Sequence, residues 1–342
     1  MKFKLDVVRS AVMAALAVAM LASCGGGTQI EAFAPKRVIA FGDESSRIEA
    51  DTATAQGRKY TVNGVVFVTD SSVTPAVSIP QVPTTPLCTT NPIWTQVLAS
   101  SYGFAFAACA DSTITTYSEM EAAADAKAAD LSGQIDLFLA GDNGTFASND
   151  LVTVMAGVND VIGLYLSQPD PTVNPGPLID AARAAGNEVG AQVVRITDRG
   201  AKVIVSTIPD MGLSPFAASE EAAHPGEGRA ALLSTLSTEL NTRLRLKLQD
   251  VRDGGRTVGL VLGDELVLSM SRFPLTYGLA NVTDAACTTT TVLACDQTTT
   301  QDSVSGSSYG GAWLWADATH LGPVAHSRLG SAAASRARTN PF

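Results

Sequence analysis

Short apolar, β-branched runs alternating with helical stretches dominate this chain, and that alternation leaves few folds open. Val38-Ile39-Ala40-Phe41, Leu151 to Met155, Lys202 to Ser206 and Thr257 to Leu262 read as buried strands, with Phe104 to Ala108 a shorter one. Helical patterns fall between them at 93–101, 118–140, 178–199 and 229–251, the third ended by Gly200. Strands separated by helices of this length need right-handed crossovers, which lay helices on both faces of a parallel sheet. The expected fold is therefore a three-layer α/β/α domain with a mainly parallel central sheet, flavodoxin-like in arrangement, over residues 37–335. Two insertions interrupt it. Residues 58–87 hold Asn63-Gly64 between alternating apolar residues, the signal of a tight β-hairpin, followed by an irregular stretch from Pro75 to Pro86. Residues 280–310 are rich in Thr, Ser and Gly and read as a loop.

The ends of the chain bear on location. Lys2, Lys4 and Arg9 precede an apolar run from Ala11 to Ala22 that is too short for a dependable membrane span. Leu21-Ala22-Ser23-Cys24 with three glycines after it is similar to a bacterial lipobox. That similarity implies a signal peptide over residues 1–23, acylation of Cys24, and a lipidated linker over 24–36. Gly25 beside Cys24 resembles lipoproteins sent to the outer membrane. Residues 336–342 are expected to be a short tail. Cys88, Cys109, Cys287 and Cys295 remain, an even number that allows three connectivities. The local pairs Cys88–Cys109 and Cys287–Cys295 are expected, each pinning a Thr-rich loop. No pair has C-x-x-C spacing and the chain has only three histidines, so neither a metal centre nor a cofactor is expected. With 33 acidic against 23 basic residues the net charge is −10, which repels phosphate backbones and argues against nucleic acid as a partner.

In open parallel sheets ligands bind at the carboxyl ends of the strands. Three segments there carry chemistry: Phe41-Gly42-Asp43-Glu44-Ser45-Ser46, Ala156-Gly157-Val158-Asn159-Asp160, and Asp317-Ala318-Thr319-His320. An acid three residues before an imidazole makes two thirds of a nucleophilic triad, because the carboxylate fixes the ring tautomer and the ring moves the proton. In order and spacing the three segments resemble those of the SGNH (GDSL) hydrolases, with an early Gly-Asp-Ser, a central Gly-x-Asn-Asp and a late Asp-x-x-His. Trp94 to Ala99, Gln134-Ile135-Asp136 and Thr207 to Pro215 are similar to flanking segments of bacterial secreted lipases and esterases in that family.

The resemblance implies a serine esterase or lipase acting on carboxylic esters, small-molecule, lipid or glycan. A serine would attack the ester carbonyl, His320 would take its proton, Asp317 would orient His320, and Asn159 would donate to the developing oxyanion. The first segment departs from the pattern. Glu44 holds the position of the family's serine, leaving three alternatives: Ser45 after a longer turn, Ser46, or no nucleophile. Ser45 is the leading candidate. Gly263-Asp264-Glu265 repeats the motif at another strand-to-helix junction, where it suits a helix start. A glycine expected to supply a second oxyanion donor is also missing from Ala123 to Ala128. The competing reading is a catalytically inactive surface lipoprotein of this fold that binds glycan, lipid or an envelope partner, the membrane being reached through the N-terminal lipid alone. His326 reads as surface or packing and His224 as loop, and the Trp313/Trp315 pair as core packing before the lining of an acyl pocket.

Overall fold

Parallel pairing organises the core. In the structure, a computed structural model that describes residues 33–339 apart from 51–55, 82–83, 111–113, 143, 255–257 and 304–307, six strands make one sheet. They are β1 (Arg37–Gly42), β2 (Phe104–Phe106), β3 (Thr115–Met120), β4 (Asp150–Met155), β5 (Lys202–Ser206) and β6 (Val258–Val261). Their spatial order is β6-β5-β4-β1-β3-β2, with every neighbour pair parallel. The expected leader (residues 1–23), Cys24 and the end of the tail lie outside the described residues.

Among the described residues eight α-helices accompany the sheet: α1 (Trp94–Ser100), α2 (Leu131–Ala140), α3 (Val158–Leu166), α4 (Gly176–Thr197), α5 (Pro215–Ala223), α6 (Arg229–Asp253), α7 (Gly263–Arg272) and α8 (Pro323–Arg338). β1 and β4 are buried almost end to end, which is why they read as continuous apolar runs rather than alternations. On α4, Leu178, Ala182, Val189, Val193 and Ile196 recur at helical spacing and are buried; on α6, Leu233, Leu236, Leu240, Leu244 and Leu248 do the same. The two stripes pack together and each large side chain contributes roughly 1.5–3 kcal/mol by leaving water. α1 packs with α8, so the sheet lies between two helical layers. The three-layer α/β/α expectation holds.

Local assignments needed correction. Residues 118–140 are not one helix. Ile114-Thr115-Thr116-Tyr117 favours extended backbone, and the strand it starts pairs Val38 with Ser118 and Ala40 with Met120. The alanine-rich segment that follows is drawn across the strand ends, where Ala122 and Ala123 donate backbone N–H bonds to the carbonyls of Ala40 and Gly42. Helix begins only at Leu131. The hairpin of the 58–87 insertion is present, but it pairs Phe67–Asp70 with Val77–Pro80, and so its turn lies beyond Asp70 rather than at Asn63-Gly64. Asn63 is buried instead. Its side chain accepts from the Lys59 N–H and donates to the carbonyls of Lys59, Thr61 and Cys295, tying the first insertion to the second.

Both local disulfides form, with Cα separations of 5.4 Å for Cys88–Cys109 and 5.7 Å for Cys287–Cys295. The second sits beside a short parallel pairing of Asn281–Ala285 with Trp313–Trp315. Trp315 is fully buried there and delivers the chain to Asp317. His326 on α8 is also fully buried, and burial pushes its imidazole down to about 3, so it is packed neutral.

Candidate active site

The strand order changes direction at β1, whose neighbours are β4 on one side and β3 on the other. In doubly wound sheets such a reversal marks the usual place of a ligand site, outside the carboxyl ends of the strands. Gly42 ends β1 at φ +135°, and Asp43 then caps a single 3-10 turn, Glu44–Ser46, by accepting the Ser45 N–H at 3.0 Å. From β4 the chain passes Gly157 and enters α3, which places Asn159 in the first helical turn beside Glu44. The third segment closes as a tight turn in which the Ala316 N–H donates to the His320 carbonyl and the His320 N–H to Asp317 Oδ1.

These elements bring Asp317, His320 and Asn159 together around Glu44. His320 Nδ1 lies 2.9 Å from both Asp317 oxygens, and His320 Nε2 lies 3.4 Å from Glu44 Oε1. Asn159 Nδ2 donates to Glu44 Oε1 at 3.0 Å and to Oε2 at 2.8 Å. The backbone N–H of Asp125 donates to Oε2 at 3.0 Å. Tyr60, from the first insertion, lies with its ring centroid 5.6 Å from that of His320, and its hydroxyl donates to Glu49.

Neither serine takes that place. The Ser45 hydroxyl bonds to the Asp43 carboxyl, and Ser46 is buried with its hydroxyl oxygen accepting the Trp94 indole N–H at 3.2 Å. A carboxylate therefore stands next to the imidazole where the sequence pattern leads one to expect a hydroxyl. His224 is half exposed and faces Glu227.

Burial and charge set the protonation states. Burial alone would lower the His320 imidazole, but hydrogen bonds to Asp317 and Glu44, with the charges of both, outweigh it and push the ring up to about 10. Burial likewise opposes ionisation of Glu44 and Asp317. The hydrogen bonds with His320 prevail and hold both carboxyls below the usual range. Asp43 behaves oppositely: full burial and the neighbouring Glu44 charge raise it well above an ordinary carboxylate. The result is an imidazolium clamped between two carboxylates at neutral pH.

Two features escaped the sequence reading. Asp125 sits at φ +57°, a backbone position that favours glycine, and it is the N–H at that position that points to Glu44 while the residue itself is exposed. The segment Ala123 to Ala128 thus supplies a donor despite having no glycine. The role of Tyr60 as a wall beside His320 depends on how the insertion folds back.

Comparison with known proteins finds a family match over most of the chain. Residues 53–333 match the model of the family described as GDSL-like lipase/acylhydrolase. That span contains Asn159, Asp317 and His320 and begins after the Gly42-Asp43-Glu44 segment. Among solved structures, the chain is similar to an extracellular lipase from Streptomyces rimosus, at 15% identity and a TM-score of 0.42, covering 89% of this chain and 99% of that one. No curated protein matches. With most of its length matched by the family's model, the chain belongs to the GDSL-like lipase/acylhydrolase family.

Proposed function

We propose that this chain is a ligand-holding member of the family at the cell envelope, in which serine-dependent ester hydrolysis is withheld. One observation carries the proposal: the Glu44 carboxylate occupies both Asn159 Nδ2 and the Asp125 N–H and pairs with His320 Nε2. Serine hydrolysis requires a neutral imidazole to receive the hydroxyl proton, and donors free to take up the charge that develops on the ester oxygen. Here the imidazole is already protonated and the donors are engaged. The ligand is then a glycan, lipid or envelope partner held in the cleft without turnover.

The second reading is a serine esterase or lipase acting on carboxylic esters through Ser45, His320 and Asp317, with Asn159 as oxyanion donor. It is favoured by the family match over residues 53–333 and by the close Asp317–His320 pair. A fluorophosphonate probe applied to protein lacking residues 1–23 separates the two. No covalent label and no hydrolysis of p-nitrophenyl butyrate are expected. A label mapped to Ser45 would overturn the first reading and establish the second.

The location rests on Cys24. The proposed attachment is an acyl chain at Cys24, and among the described residues no helix is long and apolar enough to cross a membrane. Cells fed an alkynyl palmitate should yield labelled protein in the outer-membrane fraction, and Cys24→Ala should abolish the label. Equal labelling of the two forms would remove the anchor from the account.

A further inference from the structure

We infer that the Glu44 side chain is a built-in mimic of an acylated serine, lodged in a fully assembled oxyanion hole, and that the single change Glu44→Ser converts this chain into an ester hydrolase. The inference rests on the proposed reading of Glu44 as the group that withholds hydrolysis. Atom by atom, a glutamate side chain runs Cβ, Cγ, then a carbon bearing two oxygens; an acylated serine runs Cβ, Oγ, then a carbonyl carbon. The methylene Cγ stands for the serine oxygen and the carboxyl carbon for the acyl carbon. One carboxylate oxygen, Oε2, takes hydrogen bonds from Asn159 Nδ2 at 2.8 Å and the Asp125 N–H at 3.0 Å, as an acyl oxygen in an oxyanion hole would. The other, Oε1, stands where the acyl chain would leave the carbonyl carbon; it accepts from Asn159 Nδ2 at 3.0 Å and lies 3.4 Å from His320 Nε2, the nitrogen that would take a proton from attacking water. Glu44 is 4% exposed, so its carboxyl group fills this space itself.

Truncation to serine vacates the carboxyl volume and frees both donors. It also removes one of the two carboxylates that hold His320 protonated, leaving Asp317 to orient a ring that can now accept a proton. The chemistry balances. The introduced hydroxyl oxygen bonds to the ester carbonyl carbon while its proton passes to His320 Nε2. The oxyanion is held by Asn159 and the Asp125 N–H, and its collapse breaks the bond to the leaving alkoxide, which takes the proton from His320. Water then repeats the sequence on the acyl-serine and releases the acid.

Glu44→Ser is expected to be labelled by a fluorophosphonate, one probe per chain at position 44. It should hydrolyse p-nitrophenyl butyrate at least about 100-fold faster than Glu44→Ala, since the alanine variant opens the space without a nucleophile. Adding Asn159→Ala to Glu44→Ser should lower kcat by about 10²–10³, the usual worth of one oxyanion donor. A Glu44→Ser protein that keeps the parent's circular dichroism and yet neither takes the label nor turns over the ester overturns the inference. Should that variant not fold, Glu44→Cys decides in the same way: its thiol is expected to be acylated by p-nitrophenyl acetate, and a folded, unacylated thiol is the overturning result. Labelling of the wild-type chain at Ser45 would instead defeat the proposed function, an outcome distinguishable from either of these.

Discussion

Glu44→Gln is expected to bring the His320 imidazole down from about 10 by about 1–3 pH units, the usual effect of removing an opposite charge within a few ångströms. Proton and carbon NMR of the ring ε1 position reads this directly, because the chain has only three histidines. In the wild type, His320 should hold an imidazolium shift through neutral pH, while His326 stays neutral down to about 3. The stability consequences follow by linkage. His320 has a folded value above its unfolded one, so its contribution is complete below about 6.5 and is lost as the pH rises through about 10. Glu44 and Asp317 are lowered, so theirs is present above about 4.4 and is lost as the pH falls through their depressed folded values. The advantage of wild type over Glu44→Gln in urea denaturation should therefore be full from about pH 4.5 up to the variant's own lowered His320 value, and be lost as the pH rises from there through about 10. A wild-type His320 that titrates near 6.5 would show that the ring is not clamped, and the case for withheld catalysis would lose its electrostatic basis.

How much of this was legible beforehand depended on whether a feature is local. The strands β1, β4, β5 and β6 announce themselves because a sheet covered on both faces demands unbroken apolar runs. Asp317 and His320 are legible for a related reason, since three residues of separation let one turn join both groups. Asn159 follows from its place just after β4. The end of β3 and the segment after it were misread because the alanines from Ala122 onward favour helix and the competing demand, pairing with β1 from 80 residues away, leaves no mark in a short window. Asn63-Gly64 has the composition of a hairpin turn, yet the Asn63 side chain satisfies four buried backbone groups, a role that depends on Cys295, which is 232 residues away. Asp125 could not be picked out as a donor because the direction of an N–H is set by the backbone angles and not by the side chain. Glu44 was visible as a substitution. Its engagement with three groups from three separate segments was not.

The geometry that gathers those groups depends on β1 and β4 remaining in close contact at their carboxyl ends, and Gly42 is where that contact is tightest. It pairs with Met155 across the two strands, at φ +135°. A Cβ built there would lie 2.0 Å from the Met155 carbonyl oxygen and 2.9 Å from its carbonyl carbon. The obstruction is backbone, so no side-chain rotation relieves it. The same peptide is fastened on its other edge, where the Gly42 N–H donates to Gln134 Oε1 at 2.9 Å and the Gly42 carbonyl accepts from Gln134 Nε2 at 2.8 Å. Moving β1 away from β4 would break these bonds, along with the 3.0 Å bond from the Asp43 N–H to the Met155 carbonyl. Gly42→Ala is accordingly expected to cost more than about 4 kcal/mol, in the range reserved for backbone strain and overpacking combined, and to leave little soluble protein. Gly103→Ala serves as the control. Its φ is also positive, at +79°, but no atom lies within 4 Å of the added Cβ, so only the left-handed backbone penalty of about 1–2 kcal/mol applies. Urea denaturation of both variants measures the difference. If Gly42→Ala unfolds within about 1 kcal/mol of wild type, β1 and β4 do not meet as closely as Glu44 and Asn159 require, and the site that depends on their meeting fails with them.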